Sequence, residues 1–360
     1  MRFPEFTDEW VEITIQNLAT VLGGGTPDTT NKSYWDGNIQ WFTPSEIGKN
    51  KYVNTSLRTI TEDGLNNSSA KLLPPHTILL SSRATVGECS LTLQECATNQ
   101  GFQSLIAKNC DTDFLYYLIQ TKKKELIKKS CGSTFLEISA NEVRKIKVAI
   151  PTKEEQLKIS LLLSLLDERI ATQNKIIDNL QSLIKGLAKV LTLQGEPNTR
   201  ISDCLECHTS TLQESNLQES GKYPAYGASG IAGYLDAYTC DEYSILIIKD
   251  GSGVGTVSHV SGKYSVIGTM NNLTAKPGYS LNYLYFCLMN FNFEPFKTGM
   301  AIPHIYFKDY GRAKIWCPSL ESQNDIAKIL SAIEEKLQIE SGILDSLHRK
   351  KSYLLNNMFI

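Results

Sequence analysis

Pro151-Thr152-Lys153-Glu154-Glu155-Gln156 opens a stretch that the chain writes a second time, 167 residues later, as Pro318-Ser319-Leu320-Glu321-Ser322-Gln323. At that fixed offset Ile159 falls on Ile326, Leu163 on Leu330, Leu166 on Ile333, Asp167 on Glu334, Ile170 on Leu337, Asp178 on Asp345, Leu180 on Leu347 and Leu187 on Leu354. A register held over so many positions is an internal duplication, so one structural unit is met twice.

Within the first copy, Ile159, Leu163, Leu166, Ile170, Gln173, Ile177, Leu180, Ile184, Leu187 and Leu191 step alternately by four and three residues. The second copy supplies Ile326, Leu330, Ile333, Leu337, Glu340, Leu344 and Leu347. A period near 3.5 kept over several heptads exceeds what one globular core demands and reads as a coiled-coil seam. Proline opens each copy where a missing amide is harmless, and acidic residues follow in the first turn. The first copy stops near Gly195-Glu196-Pro197. Each helix is therefore about 40 residues, or about 60 Å, long. Antiparallel packing about a pseudo-two-fold axis is expected, and it brings the polar seam residues Gln173 and Glu340 together near the two midpoints.

Upstream of the helices the repeat continues more faintly. Gly132, Phe135 and Ile138 answer Gly299, Ile302 and Ile305, and Lys147 before Pro151 answers Lys314 before Pro318. The expected fold class is α+β: two mixed α/β domains over residues 1–150 and 196–317, alternating with long helices over 151–195 and 318–360. Short apolar runs cut by Gly, Pro and Asn, such as Thr77-Ile78-Leu79-Leu80, Ser244-Ile245-Leu246-Ile247-Ile248 and Tyr264-Ser265-Val266-Ile267, read as strands. Phe114 to Lys129 and Leu281 to Asn290 read as helices.

The composition is restrained. With 36 Lys+Arg against 38 Asp+Glu the formal net charge is -2, whereas a protein that gripped a polyanion unaided would carry a basic surplus. A polyanion ligand would have to be held jointly with partners. Nine cysteines without regular spacing, and no apolar leader after Met1-Arg2-Phe3-Pro4, lead us to expect free thiols and a cytoplasmic protein. The longest apolar runs fall far short of the roughly 18 residues of a membrane span.

Motifs with catalytic or cofactor chemistry are weak. Asp250-Gly251-Ser252-Gly253-Val254-Gly255 follows an apolar run, but Thr256-Val257-Ser258-His259-Val260 after it is strand-like, so no helix N-terminus is offered to a phosphate and a tight hairpin turn is the preferred reading. Cys204-Leu205-Glu206-Cys207-His208 fits a haem-attachment pattern, yet the expected compartment is wrong for it, and zinc would need further ligands. Leu73-Pro74-Pro75-His76 lacks the flanking residues of an amino-methyltransferase site. The cluster Lys122-Lys123-Lys124 with Lys128-Lys129 is equally a solvated helix end or a phosphate contact. The expectation is a binding protein with no metal or cofactor of its own.

With the duplication established, several passages in order resemble the specificity (S) subunits of type I restriction-modification systems. They are Leu22-Gly23-Gly24-Gly25-Thr26-Pro27, Tyr34-Trp35-Asp36-Gly37-Asn38-Ile39-Gln40-Trp41-Phe42-Thr43-Pro44, Leu79-Leu80-Ser81-Ser82-Arg83 through Val86-Gly87, and Gly132-Ser133-Thr134. In the second half Tyr223-Pro224-Ala225-Tyr226-Gly227-Ala228-Ser229-Gly230-Ile231 and Ile248-Lys249-Asp250-Gly251-Ser252 do the same. The likeness covers nearly the whole length. The second helix departs from the first, with Ser322 in place of Glu155 and Lys351 on the seam where Ile184 stood.

The resemblance implies two target-recognition domains reading two short duplex sequences separated by an unread spacer, with the helix pair as a ruler. It implies double-stranded DNA, two methyltransferase (modification) subunits and ATP-driven restriction subunits as partners. S-adenosylmethionine, ATP and Mg²⁺ would then sit on those subunits, and this chain would be non-catalytic. Because Arg suits guanine and Asn or Gln suits adenine, the candidate DNA-binding residues are Thr26, Asn31, Lys32, Arg83, Thr85, Asn99, Gln100 and Thr134 in the first domain. In the second they are Tyr226, Ser229, Lys249, Ser252, Asn271 and Asn272. The alternative is a duplicated coiled-coil adaptor that does not touch DNA.

Overall fold

The computed structural model describes residues 1–132 and 136–359. The chain is α+β and divides into two compact units, Met1–Asn174 with Ile343–Ile360, and Lys175–Gly342. The two long helices, Lys153–Thr192 and Leu320–Met358, each give one half to each unit. The first half of one helix shares a unit with the second half of the other, so the pair runs antiparallel. Compactness thus groups each globular part with helix halves, where the sequence division was drawn at the helix starts.

In the first unit a five-stranded sheet has the order Ala19–Gly23, Gln103–Ala107, Ile78–Leu80, Cys89–Thr92, Tyr52–Val53. A three-stranded sheet of Arg58–Ile60, Trp35–Phe42 and Cys96–Thr98 lies in the same unit. The strand Ile78–Leu80 is buried throughout because alternate side chains serve two cores. Ile78 and Leu80 join Phe114, Leu118, Ile159 and Leu163, whereas Leu79 joins Phe42, Leu73 and Phe102. The seam residues Ile159 and Leu163 are therefore core residues of this unit, together with Met358 from the other long helix.

The second unit holds a four-stranded sheet, Leu205–Thr209, Met270–Ala275, Ser244–Ile248, Val257–Val260, and another, Gly230–Leu235, Tyr223–Gly227, Lys263–Val266, Cys240–Asp241. Its core gathers Ile245, Ile247, Tyr283 and Phe286 with Ile184 and Ala188 of one long helix and Ile326 and Leu330 of the other. Of the remaining seam positions, Ile170, Gln173, Ile177 and Glu340 are buried and Ile333 packs against the second core.

The duplication extends to single hydrogen bonds. A short antiparallel ribbon leads into each long helix, Val11–Thr14 with Lys147–Ile150 and Thr199–Arg200 with Lys314–Ile315. Gln156 then donates from Nε2 to the Pro151 carbonyl at 2.9 Å and accepts at Oε1 from the Asp111 N–H at 3.0 Å. Gln323 repeats both bonds, to the Pro318 carbonyl at 2.9 Å and from the Ser280 N–H at 3.0 Å. Asp111 and Ser280 cap the helices Thr112–Thr121 and Leu281–Met289. One buried amide thus ties the start of each long helix to the start of the short helix packed on its sheet.

Phenolic hydroxyls make the next tie. Tyr117 donates to Asp167 at 2.7 Å and Tyr285 to Glu334 at 2.9 Å. The two acids differ in their cation. Asp167 pairs with Lys351 at 2.7 Å, which explains the lysine on the seam, and Glu334 faces His259 Nε2 at 3.4 Å. Burial works against ionisation of Glu334, but the hydrogen bonds from His259 and Tyr285 hold it below the usual carboxylate range.

Removing either glutamine amide leaves a carbonyl and an N–H, buried or partly buried, without a partner, a loss of up to about 1–3 kcal/mol for each unsatisfied group. Gln156→Ala and Gln323→Ala are each expected to lower the urea midpoint of the unit that holds them. Unchanged denaturation curves for both variants would show that the paired amides are not structural ties.

Candidate nucleic-acid interface

Each unit carries a short closed loop on the same backbone frame. In the first, Cys131 and Glu137 exchange N–H to carbonyl bonds at 2.9 Å, and Ile138 donates to the Ser82 carbonyl at 3.0 Å. In the second, Thr298 donates to the His304 carbonyl at 2.9 Å and His304 back to Thr298 at 2.8 Å, while Ile305 donates to the Lys249 carbonyl at 2.9 Å. Bridges pair Arg83 with Glu137 and Asp250 with His304. Every one of these positions is related by the 167-residue offset. Gly132 and Gly299 have φ of 131° and 88°, and a Cβ on Gly299 would lie 2.4 Å from the Ile302 carbonyl oxygen. Conformation favours glycine at both positions, and space requires it at Gly299.

Other loops converge on the first frame. Ser82 donates to the Gly101 carbonyl and Gly25 to the Thr98 carbonyl, both at 2.8 Å. Thr26, Asn99, Gln100, Arg83 and Thr85 thereby come to one region. Thr26 Oγ1 donates to Gln100 Oε1 at 2.5 Å, and Thr85 Oγ1 to Ser81 Oγ at 3.0 Å. Asn99 Oδ1 accepts from the Gly101 N–H at 2.8 Å, which occupies part of its amide in shaping the loop. Asn31 and Lys32 lie in a separate turn, where Asn31 accepts from the Ser33 N–H at 3.1 Å and Lys32 is exposed. Thr134 falls outside the described residues.

On the second frame, Lys249 is held by its N–H to the Thr269 carbonyl at 2.9 Å, and the Gly251 N–H bonds the Pro303 carbonyl at 3.0 Å. Ser252 is exposed in the glycine turn between Ser244–Ile248 and Val257–Val260. Tyr226 joins through the Ile267 N–H at 3.0 Å, and Ser229 is exposed in the turn after Tyr223–Gly227.

Asn271 and Asn272 require correction. Both are buried, at 3% and 4% exposure, in the strand Met270–Ala275. Asn271 Nδ2 donates to the Tyr310 hydroxyl at 2.9 Å and Asn272 Nδ2 to Cys240 Sγ at 3.3 Å. Neighbouring side chains on a strand point to opposite faces, and here both faces are covered, so both amides are enclosed and support the frame from within.

The two frames carry opposite side-chain chemistry. Arg83 donates to Glu137 Oε2 from Nη2 at 2.6 Å and from Nε at 3.1 Å, with the two side chains 42% and 40% exposed. An ion pair so open to water is worth about 0–1 kcal/mol, less than one good bidentate contact to a base at about 1–3 kcal/mol. The guanidinium is therefore free, in energy, to exchange its partner. Asp250 stands where Arg83 does, and His304 where Glu137 does.

Sequence reasoning missed the tip of the second loop. Met300 is fully exposed and Ile302 is 67% exposed, although Ile302 was matched with Phe135 as part of an apolar repeat. The available signal was the Gly299 turn, which, with Pro303, lifts the residues between them away from any core.

The remaining motifs resolve locally. Cys204 is buried with its thiol on the Ile201 carbonyl at 3.3 Å, and His208 Nε2 lies 2.9 Å from Thr274 Oγ1. Burial pushes the Cys207 thiol up to about 11. Lys123 pairs with Glu88, and Lys129 with Glu125 at 3.4 Å, so part of the basic cluster is neutralised within the protein.

A family model described as the type I restriction modification DNA specificity domain matches residues 7–182 and 198–349. The chain is 36% identical over 194 residues to the type I restriction enzyme MjaIX specificity subunit of Methanocaldococcus jannaschii, an alignment covering 52% of this chain and 45% of that protein. It is 25% identical to the EcoprrI specificity subunit of Escherichia coli across 97% of this chain and 92% of that one. In fold it is similar to the crystal structure of a type I restriction-modification S subunit from M. genitalium, with a TM-score of 0.67 at 19% identity over 100% of this chain and 99% of that one.

Because Asn271 supports the frame from within, Asn271→Ala is expected to cost about 1–3 kcal/mol through the unpaired Tyr310 hydroxyl. Chemical denaturation checks this. Undiminished stability would return Asn271 to the candidate contacts.

Proposed function

The chain belongs to the type I restriction-modification DNA specificity family, and from that membership we propose that it is the sequence-reading subunit of a DNA-modifying complex. One observation carries the reading. The same backbone frame occurs twice at a constant offset, pinned by main-chain hydrogen bonds, while the side chains it presents are unlike. Two equivalent platforms with different chemistry suit a bipartite target whose halves differ in sequence, because base discrimination resides in side chains and positioning does not require them.

In this reading the first half-site is met by Thr26, Arg83, Thr85, Asn99 and Gln100, and the second by Tyr226, Ser229, Lys249 and Ser252. Asn31 and Lys32, at the edge of the first domain, suit phosphate contact better than base contact. The spacer between the half-sites goes unread, and its length follows that of the long helices. With a formal net charge of -2, the chain shares the phosphate grip with other subunits. Those subunits are two adenine methyltransferases and, for cleavage, ATP-driven restriction subunits. S-adenosylmethionine, ATP and Mg²⁺ belong to them, and this chain contributes recognition without a chemical step of its own. The complex works in the cytoplasm.

Co-expression with the cognate modification subunit, followed by single-molecule sequencing of methylated bases, is expected to return one gapped motif. Arg83→Ala should relax one position of the first half-site and leave the second intact; an unaltered motif at full methylation removes Arg83 from the reading residues. Adding a helical turn within residues 157–191 should lengthen the spacer and preserve both half-sites. Methylation of the original gapped site by that variant would defeat the helix-length rule.

A further inference from the structure

Folded proteins commonly expose single apolar side chains but seldom hold neighbouring large ones out in water together. The loop Thr298–His304 does so with two. Met300 is 106% exposed and Ile302 is 67% exposed, on a loop closed at its base by the Thr298–His304 pair and turned by Gly299 at φ 88°. Alternate residues carry the surface onward. His304 and Tyr306 have ring centroids 5.1 Å apart, Tyr306 is exposed, and Lys308 Nζ sits 5.2 Å from the Tyr306 ring. An apolar tip, an aromatic pair and a cation thus follow one another along one short segment.

We propose that Met300 and Ile302 enter a groove of the duplex at the second half-site and determine part of its sequence by apolar contact with the bases. The inference rests on the DNA reading above and deepens it. Two features favour a duplex over a protein surface. The loop shares its backbone bonds with Lys249 and Gly251, so its tip rises from the same frame as the candidate base contacts. The Tyr306 and Lys308 pair behind it offers the ring and the charge that accompany phosphate and base contact. Methionine and isoleucine are among the side chains that pack on bases or wedge between base steps, and thymine methyl groups reward apolar contact in the major groove.

The test uses the complex of the full chain with its modification subunits. M300S/I302S is compared with the conservative M300L/I302V and with the parent, first by methylated-base sequencing and then by binding to a duplex bearing the motif that the parent methylates. The double serine variant is expected to assemble and melt as the parent does, to keep the first half-site, and to relax one or more positions of the second, with binding to the motif duplex weakened about five-fold or more. The conservative variant should retain the parental motif. An unchanged second half-site and affinity in M300S/I302S overturn the proposal, as does a well-folded variant that no longer binds the modification subunits, which would make the tip a protein contact. Unfolding of the variant would also count against it, because residues in open solvent have no fold to support. If the parent complex itself yields no gapped motif, the DNA reading fails as a whole, a result distinguishable from failure of the tip alone.

Discussion

A helix of 40 residues with an apolar stripe is stable only where that stripe is covered, since propensity alone supplies little over such a length in water. Burial of the seam is the constraint from which the rest follows. Ile159 and Leu163 are core residues beneath one sheet, and Ile184 and Ala188 beneath another, so the long helices are as much interior elements of the globular units as they are each other's partners. The paired glutamines fix where each helix begins relative to the short helix packed on its sheet. Once those starts are fixed, the register of the whole repeat is fixed with them.

On that support the protein separates holding from reading. The loop frames are built from main-chain hydrogen bonds and positive-φ glycines, elements indifferent to the neighbouring side chains. Side chains released from structural work can then diverge, and they have: an arginine with a glutamate in one frame, an aspartate with a histidine in the other.

Much of the architecture was legible in the chain itself. The seam at Ile159, Leu163 and Ile184 is a periodicity, and the glycine run at 251–255 precedes β-branched residues, so the helix pair and the hairpin turn follow from spacing and local chemistry. The candidate surface was legible only in part. Strand alternation was not resolved at Asn271 and Asn272, where two adjacent amides in an interior strand are both enclosed, one by the Tyr310 hydroxyl and one by the Cys240 thiol. The exposure of Ile302 was not legible either: an apolar residue in a repeat stands in solvent when a glycine and a proline lift its loop from the core. Tertiary enclosure and loop projection leave no period in the sequence.

The lysine at position 351 gives the two halves an identity. Opposite Asp167 it is neutralised, whereas at the corresponding place in the other unit the chain puts Ile184, and the acid Glu334 draws on His259 from a strand. A helix exchanged into the wrong half, or a partner borrowed from a second copy in the wrong orientation, would bring the ammonium against an aliphatic environment and leave Asp167 without its counter-charge, an arrangement penalised by several kcal/mol. The charged pair thus marks one half of the duplication as chemically distinct from the other.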